Sequence, residues 1–305
     1  MWTRILARAG RLVLTVFVVA TITFIIIRVV PGDPAALVAG LEADPATVAR
    51  ISARMGTDQP LFVQYVSWMG SLLRLDLGSS LVQNRPVAEL LAARFPVTLA
   101  LAAGALLFSL LVAIPLGVAA ASSTKPVYAH LCDVYTNVGL SIPDFWAGIL
   151  LLLAFSVQLR WFPLFGADGF MAYVLPTVAL GLSRSAFLAR VVRRSVRDEL
   201  TKPYVEGARS LGISGRRLIV GEVLPNALLP TITVAAVQFG YLLGGAIVVE
   251  QVFSMPGLGR LLLTAVSQRD FPVVQAGVLF VAAGFSLVNF VADVLYSVLD
   301  PRIRY

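Results

Sequence analysis

Six stretches of this 305-residue chain are long and apolar enough to cross a lipid bilayer. A spanning helix needs about 20 mostly apolar residues. The runs Leu12–Val30, Phe95–Ala121, Val134–Leu159, Gly169–Ala189, Val223–Val249 and Phe271–Val298 meet that need. The second and fifth hold no charged residue, whereas the third carries Asp144, the fourth Arg184 and the sixth Asp293. In lipid only helices and closed barrels satisfy the backbone. These runs are too long and too continuously apolar for the alternating strands of a barrel. The expected fold is therefore all-α: a polytopic membrane protein with six transmembrane helices.

Composition agrees. Hydrophobic residues make up 58% of the chain and charged ones 13%, against about 25% charged in a soluble domain. The net charge of +7 gathers in a few short loops, which suits a membrane surface rather than nucleic acid. A single cysteine, Cys132, excludes an internal disulfide, and a single histidine, His130, leaves no zinc site of the Cys/His kind. No catalytic, metal or cofactor-binding residues are expected on this chain. Arg4, Arg8 and Arg11 precede the first apolar run, but no small-x-small cleavage site follows cleanly. That run is expected to be a retained first helix rather than a leader.

Arginine counts set the expected orientation. The amino terminus carries Arg4, Arg8 and Arg11, and the carboxyl terminus Arg302 and Arg304. The loop between the fourth and fifth runs carries Arg190, Arg193, Arg194, Arg197, Lys202, Arg209, Arg216 and Arg217. Six helices place all three on one side, which is expected to be the cytoplasm. Three parts are expected: 1–30, the cytoplasmic amino-terminal end and first helix; 31–94, an external segment; and 95–305, a five-helix core with a loop at 198–225. In the external segment Pro31-Gly-Asp-Pro stops the first helix, and two amphipathic stretches follow, Thr47–Met55 and Leu61–Leu73. Phe62, Tyr65 and Trp68 in the second suit a membrane interface. They point to a packed cap or to a docking platform for a soluble receptor.

The loop at 198–225 is the most informative. Pro203 is placed to start a short helix, Tyr204 to Leu211 gives about two turns, and Gly212 supplies a left-handed end. A second helix begins at Arg216 and runs toward Pro225. A plain basic loop would satisfy the same charge rule. Gly and Pro at such defined positions favour a short helix presented to a partner's groove.

This loop resembles the coupling segment of binding-protein-dependent ABC importer permeases. Their pattern is Glu-Ala-Ala, three residues, Gly, nine residues, then Ile-x-Leu-Pro. Here Glu206-Gly207-Ala208, Gly212 and Leu224-Pro225 occupy it, with Gly207 in place of Ala and Glu222 in place of Ile. Further motifs resemble the dipeptide/oligopeptide and nickel subfamily. They are Pro31-Gly-Asp-Pro34, Ser141-Ile-Pro-x-Phe145 with Gly148, Leu175-Pro176, Tyr204-Val205, Asn226-Ala-Leu-Leu-Pro230, Glu250-x-x-Phe253-x-x-Pro256-Gly257-Leu258-Gly259 and Asp300-Pro301-Arg302. Their order and spacing cover nearly the whole chain.

The resemblance implies a transport subunit, not an enzyme, with Tyr204, Glu206, Gly207, Ala208, Gly212, Leu224 and Pro225 coupling it to ATPases. It implies two ATP-binding subunits carrying ATP and Mg, an extracytoplasmic peptide-binding protein and a second, related permease as heterodimer partner. The chain itself has no Gly-x-x-x-x-Gly-Lys-Ser/Thr loop around Lys125 or Lys202. The cargo expected is dipeptides or oligopeptides, with nickel, glutathione or haem as alternatives in the same class. An ion-driven transporter would show paired broken helices, and a membrane enzyme a nucleophile–base set or metal cluster.

Polar groups inside spans face a bundle interior or water. Gln238 with Tyr241 and Asn289 with Asp293 sit three and four residues apart on their helices, so each pair shares a face. They either fix packing or line a pathway, while the stretch with Glu250, Pro256 and Gly257 forms either its external gate or a capped surface turn. Glu250 and Asp270 flank a re-entrant-looking stretch, Phe253–Gln268.

Overall fold

A computed structural model describes residues 2–29 and 44–299. Every described element is helical apart from an isolated bridge between Ser79 and Pro86. In chain order they are α1 (Trp2–Val29), α2 (Pro45–Met55), α3 (Leu61–Leu73), α4 (Val87–Ser122), α5 (Pro126–Ser141), α6 (Asp144–Leu151) with a π-helical continuation (Leu152–Gln158), α7 (Met171–Leu200), α8 (Pro203–Ser210), α9 (Gly215–Arg217) with a π-helical turn (Leu218–Val223), α10 (Leu224–Gly245), α11 (Ile247–Val252), α12 (Leu258–Ser267) and α13 (Phe271–Leu299). Pro31–Pro34 and Asp300–Arg302, with Arg304, lie outside the described residues.

Among the described residues five helical stretches are long and apolar enough to span a bilayer by themselves, and the bent pair α5–α6, counted as one span, makes six. The third span is thus not one continuous helix over Val134–Leu159. Pro143 has no N–H to donate and pushes Ile142 out of the helical region, to φ −92° and ψ 119°. Pro126–Ser141 and Asp144–Gln158 therefore meet at 98°. The fourth span runs beyond Ala189 to Leu200, because arginines and Asp198 on a solvated helix need no break. The fifth ends at Gly245 and restarts at Ile247, after two glycines that weaken the helix.

The core is organised around α4 and α7, which run side by side in the same direction because the α5–α6 pair carries the chain back between them. Small residues let these backbones approach. A Cβ on Gly117 would lie 2.8 Å from the Ala189 carbonyl and from Val192, and one on Gly181 would lie 2.6 Å from Phe108. Ser109 Oγ lies 3.0 Å from the Gly181 carbonyl, which adds a polar tie to the packing.

Buried clusters follow α4 along its length. Val87, Leu90 and Leu91 at its start meet Leu258, Leu261 and Val273. Leu101, Ala102 and Ala105 meet Leu180, Leu242 and Phe253. Val118 and Ala121 at its end meet Val205, Leu218 and Val223. At about 1.5 Å per residue, α4 holds the α12 end and the α8 end of the molecule on the order of 50 Å apart.

α1 lies against α13, with Arg28 at its end beside Phe271 and Gln275 at the start of α13. The two helices are antiparallel, so the described chain ends both point to the α8 end. α3 runs back along α1: Arg28 Nε donates to Gln64 at 2.8 Å, Tyr65 meets Thr21 at 2.8 Å, and Trp68 leans on Phe24 at 5.5 Å. Its aromatics are divided, with Tyr65 and Trp68 turned inward on α1 and Phe62 exposed.

Candidate functional site

Two features stand out at opposite ends of the bundle. At the α8 end, the short helix is fixed underneath and bare on top. Val205 is fully buried with Val192, Val196, Leu218 and Val223, and Ala208 and Ile213 pack against the same cluster. Full burial of a valine contributes roughly 1.5–3 kcal/mol, enough to seat a two-turn helix that would not form alone. Tyr204, Glu206, Gly207 and Arg209 remain exposed, and Leu211 is 82% exposed.

Both helix ends are closed locally. Pro203 occupies the first turn. At the other end Gly212 sits at φ 82°. Its N–H donates to the Arg209 carbonyl at 2.9 Å, and the Ile213 N–H donates to the Ala208 carbonyl at 3.0 Å. This paired arrangement is a Schellman end. Tyr204 ties the helix to the end of α7, donating its hydroxyl to Glu199 Oε1 at 3.0 Å, while Lys202 pairs with Glu199 at 2.5 Å. Burial, then the bond to Glu199, push the Tyr204 hydroxyl above its ordinary pKa, so it stays a donor.

The two departures from the coupling pattern are harmless within the chain. A Cβ on Gly207 would meet nothing within 4 Å. Glu222 is exposed in the π-helical turn, where its carbonyl accepts from Asn226 at 3.0 Å. Leu224 and Pro225 begin α10 directly after that turn. π-Helical turns concentrate at functional positions, and this one joins the short helix to a spanning one.

At the α12 end, Glu250 is fully buried. Gly257 precedes α12 and has no side chain to cap it, so the first N–H groups of α12 find acceptors elsewhere. Leu258 N–H donates to Thr98 Oγ1 at 2.8 Å, and Arg260 N–H to Glu250 Oε2 at 3.0 Å. Thr98 Oγ1 in turn donates to Glu250 Oε1 at 2.6 Å. A carboxylate from α11 and a hydroxyl from α4 thus cap α12 jointly, where the helix dipole favours negative charge. Burial pushes the Glu250 carboxyl above its ordinary range, and the bonds from Thr98, Arg260 and Gly259 offset this only in part. Gly257 is required by space: a Cβ there would fall 2.2 Å from the Glu250 carboxylate. Pro256 offers its carbonyl to Arg94 at 3.5 Å. Asp270, also buried, anchors the 80–83 turn by accepting from Ser80 and from Leu81 N–H at 3.1 Å.

Between these ends a polar network crosses the bundle. Arg184 on α7 lies 3.6 Å from Asp144 at the start of α6 and 3.2 Å from Gln238 on α10. Ser183 donates to the same Asp144 carboxylate. Arg184 and Tyr241 line a cavity of about 640 Å³ with Phe285 and Ser286 of α13. Gln238 is buried in the network, whereas Tyr241 is half exposed and 5.6 Å from Phe285. Asn289 is half-buried on α13 and joins neither network. Asp293 lies on α13, but its side chain is outside the described set.

Sequence reasoning named Glu250, Pro256 and Gly257 but missed Thr98, Arg94 and Arg260, which complete that end. A threonine and an arginine four apart, just where the second apolar run begins, were the one available signal. Nothing in the sequence pairs them with a loop more than 150 residues later.

The chain matches a family described as the binding-protein-dependent transport system inner membrane component over residues 113–305. The amino-terminal part of that component matches over residues 1–102. Among curated proteins, the glutathione transport system permease protein GsiC of Salmonella typhimurium is 42% identical over 301 residues, covering 99% of this chain and 98% of that protein. Its counterpart in Escherichia coli is 40% identical with the same coverage. Among solved structures, an inward-facing form of the MetNI methionine ABC transporter superposes with a TM-score of 0.60 at 19% identity, covering 69% of this chain and 96% of that one. An amino acid ABC transporter superposes at 0.52 and 21% identity, covering 70% and 94%. These two share the fold.

Proposed function

The chain belongs to the family of binding-protein-dependent transport system inner membrane components, the permease subunits of ABC importers, and from that premise we propose that it forms half of an ATP-driven import pathway for short peptides. It is a multi-pass membrane transport component and not a catalyst. α8 is read as the coupling helix, with Tyr204, Glu206, Gly207, Ala208, Gly212, Leu224 and Pro225 joining it to an ATPase. The observation that carries this reading is α8 itself, a helix begun by Pro203, closed at Gly212, rooted by Val205 and bare on its outer face. ATP and Mg belong to two partner ATPases in this reading, and a second permease, most simply a related chain, completes the pathway. An extracytoplasmic binding protein delivers cargo to the α12 end.

The eight basic residues from Arg190 to Arg217 favour the cytoplasm for the α8 end of an inner-membrane protein. Both termini then lie on that side. We keep the division into residues 1–30, 31–94 and 95–305, an amino-terminal helix, an external segment and a five-helix core, although α4 begins at Val87, before the second boundary. Gln238, Tyr241 and Asn289, with Asp293, are assigned to the pathway, and Glu250, Pro256 and Gly257 to its external gate. A coupled gate requires that each ATPase state favour one arrangement of these contacts.

Glutathione is itself a tripeptide, so the relatives that transport it fall within the cargo class proposed. Purification from native membranes in mild detergent is expected to recover ATPases and a second permease with this chain. Proteoliposomes of that complex, supplied with the binding protein, are expected to accumulate glutathione or short peptides only when ATP is present. Recovery of no ATPase, or uptake indifferent to ATP, would overturn the reading.

A further inference from the structure

A cavity of about 280 Å³ opens between the first part of α4 and α12, lined by Gln83, Arg94, Pro256, Gly257, Arg260 and Thr264 among others. Arg94 and Arg260 both line it. Both are held by the loop that precedes α12: Arg94 Nη1 lies 3.5 Å from the Pro256 carbonyl, and Arg260 Nη1 2.7 Å from the Ser254 carbonyl. The Arg260 backbone is fixed as well, because its N–H is bound by Glu250. Among the described residues, neither guanidinium has a carboxylate within ion-pair distance. Glu250, the acid beneath this loop, engages its two oxygens with Thr98 and the Arg260 amide instead.

Each guanidinium has five N–H donors in a fixed fork, and one carbonyl uses only one of them. Two cationic residues lining one small cavity repel each other, and an anion bound between them would relieve that repulsion. The planar fork matches a carboxylate, which can accept two parallel bonds. The concave, half-buried setting suits a small ligand group better than a protruding side chain of a docked protein.

We propose that Arg94 and Arg260 form a receiving site for a free carboxylate of the cargo at the mouth of the pathway, on the side where the binding protein delivers. This rests on the peptide-import reading above. The site would select for peptides with a free terminal carboxylate as they leave the binding protein.

The assembled transporter in lipid nanodiscs provides the test, with phenylglyoxal as an arginine-modifying reagent and peptide mass spectrometry as readout. Millimolar glutathione is expected to slow modification of Arg94 and Arg260 about fivefold or more, and its diethyl ester to give no protection, since esterification removes the charge that the guanidinium groups bind. Arg216 and Arg217 at the opposite end serve as controls and should react at an unchanged rate. Arg94→Gln is expected to abolish protection at Arg260. Equal rates with and without glutathione, equal protection by the ester, or protection of Arg216 as well would overturn the proposal.

Transport separates the remaining alternative. Arg94→Gln and Arg260→Gln should each lower maximal uptake about tenfold, in keeping with loss of a charge-assisted contact, at an unchanged half-saturating concentration of binding protein. A raised half-saturating concentration with full maximal uptake would mean that the arginines dock the binding protein, and the proposal would fail. If the wild type shows protection but no ATP-driven uptake of glutathione, the carboxylate site stands and the import reading fails.

Discussion

Gly212→Val is expected to leave the chain in the membrane at its normal level and to cut coupled uptake by about tenfold or more. Gly212 lies at φ 82°, a region that costs a residue with a Cβ about 1–2 kcal/mol and a β-branched one more. Space is not the obstacle, since a Cβ there would meet nothing within 4 Å. The strain falls on the turn that closes α8, and relieving it breaks the bonds from Gly212 and Ile213 that end the helix. The buried root at Val205 then holds a helix whose exposed face is no longer fixed in direction. A graded series checks the mechanism: Gly212→Asn retains most uptake because Asn tolerates this region, Ala retains less and Val least. Gly207→Ala serves as control, because it restores the alanine of the coupling pattern at an open, helical position, and it should leave uptake intact. Uptake, binding-protein-stimulated ATP hydrolysis and membrane level are the three measurements. Wild-type uptake by the valine variant would contradict the role given to α8.

Glu250→Ala is expected to have the largest effect on stability. It removes the acceptor for the Arg260 N–H and for the Thr98 hydroxyl, both in the interior, and leaves a void under Gly257. Orphaned buried donors cost about 1–3 kcal/mol each, so the total is about 3–5 kcal/mol. Thermal unfolding of the purified protein should begin on the order of 10 °C lower. Thr98→Val orphans the Leu258 N–H and one Glu250 oxygen but leaves no comparable void, so it should cost somewhat less than Glu250→Ala. Gly257→Ala drives a methyl group into the Glu250 carboxylate and should resemble Glu250→Ala rather than a surface change. An unchanged unfolding temperature for Glu250→Ala would show that α12 is not capped in this way.

The spans were legible in the sequence because lipid imposes a length of apolar residues that few other environments require. α8 was legible for a different reason: Pro203 and Gly212 mark its two ends by backbone chemistry, so its limits needed no knowledge of the rest of the fold. Long-range pairing was not legible. Asp144 and Arg184 were each recognisable as polar residues inside the membrane, but nothing local says that they meet. The right-angled bend that brings them together arises at Ile142-Pro143, inside an apolar run that hydropathy reads as continuous. Glu250 is the clearest case. The motif around it was visible, yet its meaning depends on Thr98, which lies 152 positions away. The break between α10 and α11 was hidden for a similar reason, since two glycines in an apolar run look like ordinary small residues at a helix contact.

The central claim is that α8 meets an ATPase. Leu211 is 82% exposed beside the α8 end, and the chain's own cysteine, Cys132, is buried, so Leu211→Cys offers one reactive thiol on that surface. In the assembled complex, a short bifunctional reagent is expected to join this thiol to the ATPase subunit, with a yield that changes between nucleotide-free and ATP-trapped states. Crosslinking to the external binding protein, or no ATPase adduct in either state, would contradict the account.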